Sequence, residues 1–241
     1  QEMNAWLYQG GGLELWEELY ARYDLVPTPA GNTGVQMAGW FNKELNSMDD
    51  LRGIKMRIPG LGGEVFQRAG GTAITLPGGE IYTSLQTGVI DATEWVGPYN
   101  DLAFGLHQVA KYYYYPGWQE PGPTLEMIIN KQAFDSLPKD LQEIVRISSR
   151  ATNEDMLALY TAKNNSALEE LVNVHQVEVR KIPEDVLREL KKISDEVVSE
   201  LPTEDPLERK IYESYINFKA GVENYHEISE RAYINTRSEL E

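Results

Sequence analysis

Short apolar segments alternate with short amphipathic segments between residues 34 and 130, and glycine or proline stands at most of the boundaries. Segment 54–58 alternates apolar and basic side chains and ends before Pro59, which is typical of a half-buried strand. Segment 80–86 has helical spacing and is followed by Gly88, which favours a left-handed helix cap. Because strands that alternate with helices favour parallel pairing, the sequence predicts an α/β fold with a largely parallel sheet.

Apolar spacing and cap residues predict the other helices and strands. Helices are expected over 6–23, 64–68, 80–86, 137–174, 184–200 and 207–236, and strands over 35–41, 54–58, 89–95, 111–115, 125–130 and 177–182. Ser47 and Ser136 are predicted N-caps, and Pro27 and Pro29 are expected to end the first helix. The helix over 137–174 is longer than an ordinary domain helix, so we expect it to span two lobes.

Charge and composition exclude several classes of function. The chain has 22 Lys and Arg against 38 Asp and Glu, a formal net charge of −16, so we expect no nucleic-acid partner. Cysteine is absent, which excludes a disulfide framework and a thiolate metal site. Three histidines, at 107, 175 and 226, lack the spacing of a zinc site. No apolar run reaches the length of a membrane span, and Gln1 opens no signal-peptide pattern.

Polar side chains near predicted strand ends mark a candidate site. Arg57 and Glu94 lie at or near the ends of two predicted strands, where α/β sheets bind ligands. A guanidinium pairs with a carboxylate through two parallel hydrogen bonds, so Arg57 suits an organic acid, although an ordinary surface ion pair is the alternative. Gln36, within an otherwise apolar strand, needs a polar partner. Glu94 and Glu120 each lie near a tryptophan, and these two stretches either form one cleft or are unrelated.

Several separated stretches are similar to one protein family. Residues 34–41, 51–60 and 85–95 resemble the DctP-type solute-binding proteins of TRAP transporters. Residues 92–101 and 112–120 are similar, in order and spacing, to the branch of that family that binds 2-oxo acids and lactate. The resemblance covers nearly the whole chain. It implies a periplasmic binding protein of two α/β lobes that close on a ligand without covalent chemistry.

The resemblance also implies roles for individual residues in binding the substrate. Arg57 is expected to bind the carboxylate of a small 2-oxo or 2-hydroxy monocarboxylate, similar to pyruvate or lactate. Asn100 is expected to donate a further hydrogen bond, and Gln36 and Trp118 are expected to contact the same ligand.

A single bridging cation, calcium or sodium, is likewise implied by the resemblance. Its expected ligands are the Gln36 side chain, the Glu94 carboxylate, the Trp95 main-chain oxygen and Glu120. Oxygen ligands of these three kinds suit sodium or calcium better than zinc.

The resemblance predicts how the chain is divided. Residues 1–34 and 123–162 are expected to form the remainder of lobe I with the hinge helix, residues 35–122 and 163–206 lobe II, and residues 207–241 a C-terminal helix. Because family members extend further at the N-terminus, the first part of lobe I is expected to be missing. The expected partners are TRAP membrane permease subunits and a second copy of the chain, bound through the C-terminal helices.

Two functions of other classes remain open. A hydrolase would use Glu94 and Glu120 as acid and base, but it leaves Arg57 and Gln36 without a role. A sensing subunit would bind the same ligand without serving transport, and the sequence does not separate it from a transport subunit.

Overall fold

The computed structural model describes residues 1–202 and 204–240, so Thr203 and Glu241 of the predicted segments 163–206 and 207–241 lie outside the described residues. The chain divides into two compact units. Unit 1 comprises Gln1–Pro29, Glu126–Ser149 and Glu200–Glu241, and unit 2 comprises Ala30–Leu125 and Arg150–Ser199. The predicted lobe boundaries fall at somewhat different positions, and the assignment of the two units to lobes I and II stays a prediction.

Helices and strands alternate along most of the chain, as predicted. The helices are α1 Glu2–Gln9, α2 Gly12–Ala21, α3 Gly60–Arg68, α4 Ile81–Thr87, α5 Pro98–Ala103, α6 Lys131–Asp135, α7 Lys139–Asn173, α8 Glu184–Ser199, α9 Pro206–Ile228 and α10 Glu230–Leu240. The strands are β1 Leu25–Asn32, β2 Gly39–Phe41, β3 Lys55–Arg57, β4 Thr72–Ile74, β5 Ala92–Thr93, β6 Tyr112–Tyr115, β7 Thr124–Asn130 and β8 Glu178–Lys181. The α/β fold class is confirmed.

Unit 2 is built on a six-stranded sheet with the order β4-β3-β5-β2-β6-β8. β3 is parallel to β4 and β5, and β6 is parallel to β8, but β2 runs antiparallel to both of its neighbours. The sheet is therefore mixed, and the predicted largely parallel sheet is wrong for its central strand. β2 approaches β5 closely at Gly39, where φ is +133° and a Cβ atom would lie 2.3 Å from the Thr93 carbonyl oxygen.

Aromatic residues of β2 and β6 form the centre of unit 2 and alternate between the two faces of the sheet, because successive strand residues point to opposite sides. Trp40 and Tyr113 stack on one face, with 4.0 Å between ring centroids. Phe41, Tyr112 and Tyr114 belong to the apolar cluster on the other face, which includes residues of α3 and α8. Both faces of the central strands are therefore buried.

Unit 1 contains residues 25–29 of β1, residues 126–130 of its partner strand β7 and the helices at both ends of the chain. Trp6 of α1 meets the edge of Tyr215 of α9 at 5.3 Å and donates a hydrogen bond to Ser214 Oγ at 3.2 Å. β1 was not predicted because it contains Pro27 and Pro29. A two-stranded sheet leaves one edge of each strand unpaired, and prolines are tolerated at such an edge.

The N-cap predictions and the boundaries of the first and last helices have mixed outcomes. The Ser47 cap is confirmed: Ser47 is the N-cap of a 3₁₀ helix over Met48–Leu51, and its amide donates the return bond of a capping box to Asp50 Oδ2 at 2.9 Å. Ser136 is not an N-cap; it follows α6, and α7 begins at Lys139. The predicted helices 6–23 and 207–236 are each two helices, and the first break lies at Gly11, where φ is +83°. In the described part of the chain, every helix is too short or too polar to cross a membrane.

Candidate functional site

Arg57 and Glu94 lie side by side at the carboxyl ends of two neighbouring strands of unit 2. Arg57 is the last residue of β3, and Glu94 directly follows β5. The parallel pairing places Arg57 opposite Thr93, and the Glu94 amide donates to the Arg57 carbonyl oxygen at 3.1 Å. Parallel pairing thus brings together two residues that are far apart in sequence, at the edge where such sheets bind ligands.

The Arg57 and Glu94 side chains form a buried ion pair. Arg57 Nη1 donates to Glu94 Oε1, and only 12% and 4% of the two side chains are exposed. Arg57 Nε donates to the Leu76 carbonyl oxygen at 3.3 Å, and the guanidinium carbon lies 5.4 Å from the centroid of the Trp95 ring. Arg57 is therefore in an ion pair, as the alternative interpretation has it, but this pair is buried instead of lying on the surface.

Gln36 connects this strand edge to Glu120. The Gln36 main-chain amide donates to the Glu120 carbonyl oxygen at 3.2 Å. Only 6% of Gln36 is exposed, and its Oε1 has no hydrogen-bond partner within residues 1–202 and 204–240. The two segments approach closely at Gly117, where a Cβ atom would lie 2.1 Å from the Gln36 carbonyl oxygen. A buried acceptor without a donor is available to a ligand.

Glu94 and Glu120 line one cleft of about 340 Å³, together with Gln119 and residues 58–62. The two tryptophan–glutamate stretches therefore meet in one place, which the sequence left open. The cleft includes the first turn of α3 and the apolar side chains of Ile58 and Leu61. Its volume suits a small ligand, and the charged side chains in its lining are the two carboxylates of Glu94 and Glu120.

The electrostatics of the cleft disfavour two free carboxylates. Burial raises the pKa of Glu94 to about 8; the positive charge of Arg57 opposes this increase, and the negative charge of Glu120 adds to it. Burial also raises the pKa of Glu120, against the effects of Arg57 and the Gln36 amide. The buried charges repel each other, so a cation between them would favour both ionised forms.

The residues present fit a hard cation. Two carboxylates and a buried amide oxygen without a donor are ligands that sodium and calcium accept. No group of three or more His, Asp or Glu side chains arranged for a metal ion occurs within residues 1–202 and 204–240. The predicted ligand set contains only two such side chains, Glu94 and Glu120, because its other members are an amide and a main-chain oxygen.

Of the seven predicted site residues, Glu94 and Glu120 line the cleft, and Arg57 and Gln36 contact these two residues from beside it. The other three have contacts elsewhere. Trp95 packs against Phe104, with 4.7 Å between ring centroids, and its side chain belongs to an apolar cluster. Trp118 is half-buried and packs against the other cluster. Asn100 Oδ1 accepts a hydrogen bond from the Tyr160 hydroxyl at 2.9 Å, so the remaining donor of the Asn100 amide is its Nδ2. Their predicted roles stay predictions.

Asp101 is a residue of this region that the sequence interpretation missed. It lies in the first turns of α5 and is only 1% exposed. Its carboxylate accepts hydrogen bonds from Trp40, Tyr113 and the amides of Val96 and Gly97. Burial raises the pKa of Asp101 to about 6, against these four hydrogen bonds. The sequence carried one signal for Asp101. It is an acidic residue near the start of the helix at Gly97–Pro98, and apolar residues follow it.

Comparison with known families matches residues 1–205 to DctP, described as bacterial extracellular solute-binding protein, family 7. The monocarboxylate 2-oxoacid-binding periplasmic protein of a Nostoc species is 43% identical over 238 residues, which are 99% of this chain and 65% of that protein. The chain thus spans just under two thirds of the length of this curated relative.

Solved structures agree with this relationship. A TRAP periplasmic solute-binding protein from Pseudoalteromonas atlantica, with bound sodium and pyruvate, is 41% identical with a TM-score of 0.92, over 97% of this chain and 71% of that one. A TRAP transporter solute-binding protein from Bordetella bronchiseptica, a dimer with calcium and picolinate in its occupied site, is 36% identical with a TM-score of 0.95, over 99% and 71%. The family match and these structures together show that the chain belongs to the DctP family of bacterial extracellular solute-binding proteins.

Proposed function

We propose that this chain captures a small 2-oxo or 2-hydroxy monocarboxylate together with one calcium or sodium ion, as the periplasmic solute-binding subunit of a TRAP transporter. The observation that carries the proposal is the cleft in unit 2, where Glu94 and Glu120 meet beside the buried Gln36 oxygen and the Arg57 guanidinium. Support comes from the Nostoc relative, named for 2-oxo acids, and from the neighbour that holds sodium with pyruvate.

In this proposal, the cation is held by Gln36 Oε1, the Glu94 and Glu120 carboxylates and the Trp95 carbonyl oxygen. The cation supplies positive charge to a site that otherwise has two buried carboxylates and receives an anionic ligand. Arg57 binds the ligand carboxylate, while Asn100 Nδ2, Gln36 and Trp118 provide further contacts. Arg57 is paired with Glu94, so this pair would have to loosen for Glu94 to hold a cation and Arg57 to bind an acid.

Titration calorimetry with pyruvate and with lactate tests the proposal, with and without calcium chloride or sodium chloride. Acid and cation are expected to bind with positive coupling, each raising the affinity of the other by the same factor. Glu94→Gln and Glu120→Gln are expected to weaken acid binding although each removes a negative charge. Glu64→Gln is the matched control, because Glu64 is paired with Arg68 on α3 and does not line the cleft.

Tighter binding of the acid after Glu94→Gln, with no dependence on the cation, would show simple charge repulsion and contradict the cation site. A hydrolase that uses Glu94 and Glu120 predicts turnover of a substrate, which nuclear magnetic resonance of the ligand after long incubation detects. A sensing subunit is distinguished by its gene neighbourhood, since a transport subunit is expected beside genes for membrane permease subunits.

The proposal extends to architecture and assembly. Unit 2 corresponds to lobe II, unit 1 corresponds to the remainder of lobe I, and a second copy binds through the C-terminal helices. Support for the dimer comes from apolar side chains of α9 and α10 that are exposed, among them Ile228 at 77%, and from the dimeric Bordetella neighbour. Light scattering is expected to give twice the chain mass for the wild type and the monomer mass for Ile228→Asp; a wild-type monomer at micromolar concentration contradicts the dimer.

A further inference from the structure

We propose that Asp101 is a positioning residue for the binding site: it bridges the sheet of unit 2 to the segment that carries Glu94 and Trp95, without itself contacting cation or acid. This inference rests on the proposed function. The two oxygens of the carboxylate face different parts of the structure, and each oxygen accepts two hydrogen bonds.

Asp101 Oδ2 binds the sheet. It accepts hydrogen bonds from Trp40 Nε1 at 2.9 Å and from the Tyr113 hydroxyl at 2.7 Å. Trp40 belongs to the central strand β2 and Tyr113 to its neighbour β6, and the two rings are stacked and fully buried. These donors are held by the best-packed part of unit 2, so Oδ2 has a well-defined position.

Asp101 Oδ1 binds the segment after β5. It accepts hydrogen bonds from the Val96 and Gly97 amides, each at 3.1 Å. These amides directly follow Glu94 and Trp95, whose carboxylate and carbonyl oxygen are two of the proposed cation ligands. Through Asp101, the sheet therefore fixes the segment that carries the Glu94 carboxylate and the Trp95 carbonyl oxygen.

The same bridge extends to Gln36 through the main chain. The Val96 carbonyl oxygen accepts a hydrogen bond from the Met37 amide at 3.1 Å. Met37 directly follows Gln36, so a shift of Val96 displaces the segment that carries the third proposed cation ligand. Three of the four proposed cation ligands thus depend on Asp101.

Asparagine at this position cannot reproduce the bridge. Its side chain has one acceptor oxygen and an amino group, so it accepts hydrogen bonds from the Val96 and Gly97 amides or from Trp40 and Tyr113, but not from both. With its oxygen toward the amides, its amino group meets the indole N–H of Trp40, which is also a donor. The volume is nearly unchanged, so the loss is confined to the hydrogen bonds.

The test compares Asp101→Asn with Asp91→Asn. Asp91 directly precedes β5, whereas Glu94 directly follows it. Like Asp101, Asp91 supports the main chain, because its Oδ2 accepts a hydrogen bond from the Lys55 amide at 3.0 Å. Its Oδ1 also pairs with Lys43 at 3.0 Å. Asp101→Asn is expected to weaken calcium-dependent binding of pyruvate about 10–100-fold, as for groups that orient metal ligands. Asp91→Asn is expected to leave that affinity within about twofold, because its contacts are at the other end of the strand.

Hydrogen exchange in the absence of ligand provides a second measurement. Exchange at the Val96 and Gly97 amides is expected to be faster in Asp101→Asn, because a neutral amide oxygen is a weaker acceptor than a carboxylate even when it faces them, and unchanged in Asp91→Asn. Should Asp101→Asn fail to fold, Trp40→Phe and Tyr113→Phe each remove one donor and keep an aromatic ring, and each is expected to show a smaller loss of affinity in the same direction.

Two results would overturn the inference, and they differ in what else they overturn. A wild-type chain that binds neither pyruvate nor lactate in calcium would overturn the proposed function and this inference with it. A wild-type chain that binds, beside an Asp101→Asn variant with faster amide exchange and unchanged affinity, would make Asp101 a purely structural residue and overturn the inference alone.

Discussion

Two arginine–carboxylate pairs, one in each unit, contain carboxyl groups whose pKa values are shifted in opposite directions. In unit 2, Arg57 pairs with Glu94, and burial nevertheless raises the pKa of Glu94 to about 8. In unit 1, Arg22 pairs with Asp205, and the hydrogen bond from Arg22 lowers the pKa of Asp205 to about 2. Arg22 donates through Nη1 and, at 3.1 Å, through Nη2, whereas Arg57 donates to Glu94 through Nη1. Each arginine lowers the pKa of its partner, so the raised pKa of Glu94 comes from its surroundings.

Solvent exposure explains the difference. The Arg22 and Asp205 side chains are 46% and 29% exposed, and Asp205 also accepts a hydrogen bond from the Leu207 amide at 2.8 Å as the N-cap of α9. The Asp205 carboxylate stays partly hydrated. Glu94 has lost its hydration, and the guanidinium of Arg57 compensates for only part of that loss. The exposed pair is typical of a structural helix cap. The buried pair keeps a guanidinium and a carboxylate out of water, where either group can bind a ligand of opposite charge, and this is typical of a binding site.

The largest expected effect comes from Arg57→Met, which removes the partner of a buried carboxylate. We expect a loss of about 3–5 kcal/mol in the free energy of unfolding at pH 9, as for a broken buried pair. The loss is expected to be smaller at pH 6, because Glu94, with its raised pKa, is then protonated and needs no cation. Denaturant unfolding at both pH values measures this difference.

The double variant Arg57→Met with Glu94→Gln is the control for that experiment. It is expected to recover much of the lost free energy at pH 9, since neither member of the pair then leaves an unpaired buried charge. Equal losses for the single and the double variant would mean that Arg57 acts through packing on Trp95 instead of through its charge.

An intermediate effect is expected for Arg57→Lys on ligand binding. Lysine keeps the charge but loses the planar pair of donors, so pyruvate binding in calcium is expected to weaken by about 1.5–3 kcal/mol, the range of one charged hydrogen bond. Arg22→Lys is the matched control in the other unit and is expected to leave the affinity unchanged. Calorimetry compares the three proteins, and equal affinities for wild type and Arg57→Lys would contradict the bidentate role.

The smallest expected effect is the stability contribution of Asp205, and it depends on pH. Because the folded-state pKa is below the usual value of about 3.8, ionised Asp205 stabilises the fold above pH 4. That contribution is lost as the pH falls from about 4 towards 2. The melting-temperature difference between wild type and Asp205→Asn is therefore expected to shrink over this range. A difference that grows on acidification would contradict the lowered pKa.

The strand ends that carry the candidate site were predictable from local patterns. Alternation over 54–58 predicts the strand that ends at Arg57, and the apolar run before Glu94 predicts its neighbour. The Ser47 and Gly88 caps follow from local backbone preferences, and Gly88 has the left-handed φ of +75°. Each of these features depends on residues that are near one another in the sequence.

Other features depend on pairing between distant segments and were not predictable. Nothing near Gly39 determines that β2 runs antiparallel to its neighbours, because strand direction is set by the sheet. The four hydrogen bonds of Asp101 come from three separate stretches, and the meeting of Glu94 with Glu120 needs the close approach at Gly117. The roles of the cation ligands came from the family resemblance and stay predictions.

The interleaved order of the two units has a consequence for synthesis on the ribosome. Unit 2 has all of its residues once Ser199 has been made, whereas unit 1 still lacks its third segment, Glu200–Glu241. That segment includes Phe218 of α9, whose ring lies 2.7 Å from where a Cβ atom on Gly10 would be. The native packing of α1 and α2 against α9 therefore requires residues that are synthesised after all of unit 2.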